Sequence, residues 1–540
     1  MSVALRLARA AIRDLPPVDI AGAPLPDTIR LDANENPYAA LVAGQPTINR
    51  YPEPQPATLR ARLAALYGVA PERLWVTRGS DDAIDLLIRT FCEAGQDSIG
   101  IVEPTFSAYA QFARVQGARV VTARLTDDFR FDAGAVISAM AAEAPKLLFL
   151  CTPNNPTGTP VEPDDARRIA AALTDTIVVA DEAYAEFSET ADLADEADGN
   201  LVVLRTLSKA YGLAGARIGC AIGSADLIDL LSRVSPPYPL PGPSIAAAVA
   251  ALGAERMPLH RQRIADLLAE RERLLSLLAG ADGVASVRAG GNFLFLEVDN
   301  PDALARTLSS AGVRVRFRPN AAPGGVRVTV GTPIENEALL AAFGLSLTTT
   351  GRQASLVRDT QETQIAVSVD LDRAGPRSIE SGIAFYDHML DQVASHGGFA
   401  LTLACSGDTH IDGHHSIEDV AIALGGALRQ ALGDKQGIGR FGFALPMDEA
   451  EGQVLIDLSG RPFARFDGRF DSDKIGDLPT QMVPHIFRSL ADALGAAIHV
   501  RVEGENDHHK VEAAFKAFGR AFRQAIAQTG DGLPSTKGLL

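Results

Sequence analysis

Cysteine is scarce and scattered in this sequence: Cys92, Cys151, Cys220 and Cys405 are the only four among 540 residues, and no two approach CxxC spacing. That excludes a disulfide framework and a zinc knuckle. No apolar run reaches the length of a membrane span. Positive charge is in deficit as well. Fifty lysines and arginines against 67 acidic residues leave a net charge of −17, so bulk electrostatics attract neither nucleic acid nor an anionic membrane. Histidine is rare and lopsided: of ten, only His260 precedes residue 388. The opening MSVALRLARAAIRDLPP spaces arginines as a transit peptide does, but it has no long apolar core and soon meets Asp14 and Pro16. A first helix of a cytoplasmic enzyme is the expectation.

At 46% hydrophobic and 22% charged the composition is that of globular protein, and 540 residues exceed what one core can serve. The polar segment LTTTGRQASLVRD (347–359) has no helical period. It predicts a linker over 347–357 between a unit of residues 1–346 and one of 358–540. In the first unit KLLFLC (146–151) and TIVVAD (176–181) read as buried strands, and Ile84, Leu87, Ile88 and Phe91 mark one helix face. Such alternation predicts an α/β fold with a largely parallel sheet.

The histidines of the second unit are arranged twice over. HHSIEDV (414–420) and HHKVEAA (508–514) share the pattern HHxxE, and GGALRQAL (425–432) matches GRAFRQAI (519–526) at five of eight positions with the same offset of 94. His388 and His485 precede the two motifs by 26 and 23 residues. The unit is therefore a duplication. On a helix His414 and Glu418 share a face, as do His508 and Glu512. Each half supplies three histidines and a carboxylate: His388, His414, His415, Glu418, and His485, His508, His509, Glu512. Eight such ligands divide into two sites of four, suited to Mn, Fe, Co, Ni or Zn rather than Ca or Mg.

With FYDHMLDQVASHGG, GDTHIDGHHSIEDVAIALGGAL, PMDEA, DLSGRP and PSTKG, residues 358–540 resemble imidazoleglycerol-phosphate dehydratase. The resemblance implies two manganese ions, each held by three His and one Glu, with an imidazole substrate between them that loses water from its glycerol side chain. It also implies a 24-subunit shell. Glu362 matches the family's proton-transferring glutamate, although Gln361 stands where the family usually has Lys. Arg440 and Arg461 match arginines on the substrate phosphate, Lys516, Ser535 and Lys537 match residues around it, and His396 matches a further histidine of the site.

In the first unit TLSKAYGLAGARIG (206–219) sets Lys209 eight residues before Arg217, which suggests an aldehyde cofactor held as a Schiff base with a phosphate clamp. VVADEAY ends a buried strand on Asp181, where α/β folds open their ligand crevice, and a carboxylate there can keep a pyridine nitrogen protonated. Tyr184 could hydrogen-bond the ring hydroxyl, and CTPNNPTG (151–158) leaves another strand into a Pro/Gly turn carrying Asn155. Gly79, Ser80 and Asp81 open a helix, and helix N-termini bind phosphate.

Together with DANENPY, NRYPEP, PTFSAY and TPNNPTG, these make residues 1–346 similar to fold-type I pyridoxal-phosphate aminotransferases, specifically the histidinol-phosphate aminotransferase family. The resemblance implies an obligate dimer in which Lys209 carries the cofactor and moves the proton. Asp181, Asn155 and Tyr184 serve its ring, and Phe106 stacks on it where the family often has Tyr. Ser80, Asp81, Ser208 and Arg217 hold its phosphate, joined by Tyr51 from the neighbouring subunit. Arg327 takes the substrate anions, with Arg316 assisting. Arg78 replaces the family's usual Asn. The two activities are consecutive steps of histidine biosynthesis, so the chain reads as a bifunctional transferase and lyase. An aminotransferase for another aromatic amino acid, or a second unit that is mainly an assembly scaffold, are the alternatives.

Overall fold

The chain was analysed as a computed structural model, which describes residues 2–16, 48–190, 192–254, 256–345, 352–360, 362–407, 412–442, 446–447, 449–529 and 534. It divides into two units, residues 1–346 and 347–540.

Seven strands cross the first unit: β1 (Leu74–Thr77), β2 (Ser98–Glu103), β3 (Arg119–Arg124), β4 (Leu147–Cys151), β5 (Ile177–Asp181), β6 (Leu201–Thr206) and β7 (Gly219–Ile222). Their order is β1-β7-β6-β5-β4-β2-β3, and only β7 runs antiparallel to its neighbours. Every residue of β4, β5 and β6 is buried, as central parallel strands covered on both faces require. Helix α1 (Ser80–Phe91) buries Ile84, Leu87, Ile88 and Phe91 against this sheet. The expected strands and helix face are therefore observed. A second, antiparallel sheet holds β8 (Val284–Gly290), β9 (Phe293–Val298), β10 (Arg316–Phe317) and β11 (Gly325–Thr329) in the order β10-β11-β9-β8. Its register sets Arg316 directly opposite Arg327.

The second unit repeats one topology twice. Its first half has β12 (Gln353–Asp359), β13 (Thr363–Asp370), β14 (Arg377–Glu380) and β15 (Ala400–Gly407), ordered β12-β13-β15-β14. Its second half has β16 (Phe441–Gly442), β17 (Pro446–Met447), β18 (Ala450–Asp457), β19 (Phe463–Asp467), a small hairpin of β20 (Lys474–Ile475) and β21 (Leu478–Pro479), and β22 (Ala497–Glu503). The order β16-β18-β22-β19 is the same, and in each half the last pair alone is parallel. Each half also carries two helices: α2 (Ala384–Gly397) and α3 (His414–Leu432), then α4 (Met482–Leu494) and α5 (Asp507–Ile526). These helices pair across the halves, α3 on α4 and α2 on α5, around one shared core.

One sequence expectation shifts. Residues 353–357, read as the end of the linker, belong to β12, whose partner β13 alternates buried and exposed side chains. Its polar composition misled because β12 is an edge strand, half exposed along its length. Residues 346–351 lie outside the described residues. Among the described residues no helix is long and apolar enough to cross a membrane.

Candidate active sites

The carboxyl ends of β4, β5 and β6 open into a cavity of about 230 Å³. Phe106, Asn155, Asp181, Tyr184, Ser208, Lys209, Arg217, Ser80 and Asp81 all line it, with Arg316 and Arg327 reaching in from the antiparallel sheet. Tyr51 does not. It is half exposed and stacks on Tyr238 with ring centroids 4.4 Å apart.

Asp181 is 3% exposed, and Tyr109 Oη donates a hydrogen bond to its Oδ2 at 2.6 Å. Lys209 Nζ lies 5.5 Å from the centre of the Tyr184 ring. Burial, then the positive field of Arg327, pushes the Lys209 ammonium below its ordinary range. At the other end of the cavity, Arg217 Nη2 meets Asp81 Oδ2 at 3.1 Å beside the first turn of α1. Gly79 caps that helix at φ +76°, and a Cβ there would stand 2.8 Å from Arg217 Nη2. The left-handed backbone is what favours glycine there, since the guanidinium end of Arg217 can shift. Arg78 turns aside to pair with Asp82 at 2.7 Å.

The arginines form a cluster of one sign. Arg316 and Arg327 face each other in register, and Arg318 lines the same cavity. Arg327 Nη1 donates to Asn155 Oδ1 at 2.6 Å. The Nε atoms of Arg318 and Arg327 are buried without a hydrogen-bond partner among the described residues. Like charges set opposite each other destabilise a sheet, so this arrangement suits an anion.

In the second unit the eight predicted ligands gather differently from their order in sequence. His414, Glu418 and His485 bring their ligating atoms within 4.8 Å of one another. His485 Nε2 is 3.2 Å from Glu418 Oε1, and His414 Nε2 is 3.7 Å from Glu418 Oε2. The counterpart joins His388, His508 and Glu512: His388 Nε2 is 4.0 Å from Glu512 Oε1, and His508 Nε2 is 3.6 Å from Oε2. Each cluster thus takes a histidine from one half and a histidine and glutamate from the other. The second histidine of each motif faces a further glutamate. His415 Nε2 lies 3.7 Å from Glu362 Oε2, and His509 Nδ1 lies 2.8 Å from Glu449 Oε2. Two imidazoles with one carboxylate and no thiolate remain a donor set suited to a divalent transition metal.

Around these clusters Lys516 Nζ meets Glu512 Oε1 at 2.9 Å. Burial lowers the His396 imidazole, and the positive charges of Arg520 and Lys516 add to that. Arg440, expected on a phosphate, is engaged by Asp457 at 2.6 and 3.1 Å and lies over the Phe441 ring. Arg461 hydrogen-bonds through its backbone to Ser459 and exposes its side chain. Ser535 and Lys537 lie outside the described residues.

Residues 23–343 match the family model for aminotransferase class I and II. The chain belongs to this family. It is 44% identical over 323 residues to the histidinol-phosphate aminotransferase of Stenotrophomonas maltophilia, matching 58% of this chain and 88% of that one. The aminotransferase unit is also similar to the solved histidinol-phosphate aminotransferase of Sinorhizobium meliloti, crystallised with pyridoxal-5'-phosphate, at 25% identity and a TM-score of 0.50 over 55% of this chain and 82% of that one. Residues 381–522 match the family model for imidazoleglycerol-phosphate dehydratase. There the histidine biosynthesis bifunctional protein HisB of S. maltophilia is 57% identical over 189 residues. That match takes in 35% of this chain and 53% of HisB, so the chain spans about half the length of this bifunctional relative. An aminotransferase unit and a dehydratase-family unit are joined in one chain.

Sequence reasoning passed over three residues of these sites. Arg318 follows Arg316 by two in VRVRFRPN, and period-two alternation would have placed both on one side. Tyr109 stands in the PTFSAY string read for Phe106 alone. Glu449 lies in PMDEA, where no pattern marked it.

In the aminotransferase unit, burial raises the Asp181 carboxyl to about 6, and the Tyr109 hydrogen bond opposes that rise. The folded chain therefore keeps this proton to higher pH than the unfolded chain does. Stability falls as pH rises from about 4 to about 6, and the cost of the buried charge is complete above that. Asp181→Asn removes the charge and keeps an acceptor for Tyr109. Cofactor-free protein carrying it is expected to gain about 1–3 kcal/mol at pH 8 and progressively less toward pH 4. Thermal melts across that range check this, and destabilisation at pH 8 would contradict it.

Proposed function

We propose that the chain is bifunctional. Its second unit dehydrates imidazoleglycerol phosphate to imidazole acetol phosphate, and its first transaminates that ketone with glutamate to histidinol phosphate. The observation that carries the reading is the coexistence of two duplicated His–His–Glu clusters with a cavity combining Lys209, Asp181 and four arginines.

The first cavity fits pyridoxal phosphate. Asp181 is a buried carboxylate awaiting a cationic ring nitrogen, and the first turn of α1 with Ser80, Ser208 and Arg217 forms an anion cradle. When bound, the cofactor supplies an electron sink for charge developing at the substrate Cα. Lys209 Nζ holds and returns the proton. With the cofactor bound, Phe106 would stack on its ring, Asn155 and Tyr184 would serve its ring oxygen, and Tyr51 would be offered to a second copy. Arg327, Arg316 and Arg318 bind carboxylate and phosphate in turn, which lets one site accept glutamate and a phosphorylated ketone.

In the second unit the two clusters suit a pair of manganese ions, which supply Lewis acidity that lowers the pKa of a bound imidazole. His388, His508 and Glu512 serve one and His485, His414 and Glu418 the other, with His415 and His509 completing the ligand set. Glu362 transfers the proton at the glycerol carbon. Arg440, Arg461, Lys516, Ser535 and Lys537 surround the phosphate, and His396 borders the site. The division into residues 1–346 and 347–540 assigns one activity to each part. Four free thiols accord with a cytoplasmic setting.

Assembly follows from the same reading: aminotransferase dimers combine with a 24-subunit dehydratase shell, since an octahedral shell offers two-fold axes. A molar mass by light scattering equal to one dimer would refute it. The activity is tested by giving the purified chain imidazoleglycerol phosphate, manganese, pyridoxal phosphate and glutamate, and following histidinol phosphate by mass spectrometry. Omission of glutamate should stop the reaction at the ketone. Accumulation of ketone with glutamate present would refute the first unit's substrate, and survival of starting material would refute the second unit's chemistry.

A further inference from the structure

The duplication relates two glutamates as well as the histidines. Glu362 immediately precedes β13 and Glu449 immediately precedes β18, and these strands hold the same place in the two sheets. Their partners are the second histidines of the two motifs, His415 and His509. The two pairs have nevertheless diverged. Glu449 holds His509 at Nδ1, with both carboxylate oxygens at 2.8 and 2.9 Å. Glu362 faces the other ring nitrogen of His415, Nε2, from 3.7 Å, too far for a hydrogen bond.

An ionised carboxylate only accepts hydrogen bonds, so Nδ1 of His509 carries the hydrogen, and in the neutral ring Nε2 then presents its lone pair. Glu449 therefore stands behind the ring, and Glu362 stands on the side of the ligating nitrogen. As an exposed pair, with side chains 31% and 39% accessible, Glu449 and His509 contribute little to stability. Their geometry matters for tautomer and ring direction instead.

We infer that Glu449 is a positioning residue that fixes His509 as an Nε2 ligand, whereas its duplicate Glu362 faces the reaction. The inference rests on the two-metal reading above. It divides the descendants of one ancestral carboxylate into a supporting group and a reacting one.

The test uses the full chain, stripped of metal and titrated with Mn²⁺ while free Mn²⁺ is followed by electron paramagnetic resonance. Glu449→Ala is expected to weaken one of two classes of Mn²⁺ site by about 10–100-fold and to leave the other unchanged. Glu449→Gln, whose amide oxygen can still accept from Nδ1–H, should lose less. Glu362→Ala should leave both classes within about twofold of wild type. Metal-free variants should melt with the wild type, separating a ligand effect from misfolding. Wild-type affinity at both classes in Glu449→Ala would overturn the inference. So would a loss in Glu362→Ala equal to that in Glu449→Ala. Absence of any tight class in the wild type would instead overturn the metal reading, and this inference with it.

Discussion

Lys209→Ala abolishes amino transfer, with an expected loss of about 10⁴-fold or more, while dehydration continues at its full rate. Among the described residues the lysine is the one amine lining the cavity, and burial with the nearby Arg327 lowers the pKa of its ammonium. Removing it takes away both the attachment point and the group that carries the proton. Lys209→Arg should do no better, because a guanidinium stays charged and cannot act as the base. The single-pot reaction is the measurement: either variant should stop with the ketone accumulated and glutamate unconsumed. Loss of dehydration as well would mean that the two activities are not separable by unit. Retention of amino transfer would remove Lys209 from the chemistry.

The second large effect is expected from breaking one of the proposed metal-binding His–His–Glu clusters across the halves. His388→Ala and Glu512→Gln lie 124 positions apart yet touch the same cluster. Each should empty one class of Mn²⁺ site, a greater loss than the about 10–100-fold that a supporting residue costs, and dehydration should fall with it. Combining them should cost no further metal, since both act on one centre. Pairing His388→Ala with Glu418→Gln should instead empty both classes, although those two residues belong to the same half. Metal content after dialysis decides the matter. If His388→Ala with Glu418→Gln retained one class, the centres would lie within halves and the observed clustering would be wrong.

That crossing was the part of the site least legible beforehand. HHxxE repeated at an offset of 94 announces a duplication, and its helical spacing places His414 with Glu418 and His508 with Glu512. Which upstream histidine joins which pair depends on helix packing between halves. Helix α4 lies on α3 and α2 lies on α5, so His485 reaches the first motif and His388 the second. No local pattern encodes that choice. The central sheet of the aminotransferase unit was legible for the opposite reason. KLLFLC and TIVVAD are apolar without alternation, a signature of strands covered on both faces, and Asp181 at the end of such a run marks the crevice. Arg440 is a case that local reading leaves half told: its motif fits a phosphate, and the fold also sets Asp457 against its guanidinium.

A single half of the second unit, two helices on one four-stranded sheet, holds a histidine for one centre and a histidine–glutamate pair for the other, and so completes neither. A lone ancestral half could have built such a centre only by meeting another molecule of itself, and a two-fold encounter would have produced two identical centres at once. Tandem fusion of two such halves would capture that encounter in one covalent chain. It would also release the two copies from sharing every mutation, the condition under which symmetry can break and each centre can be inherited separately.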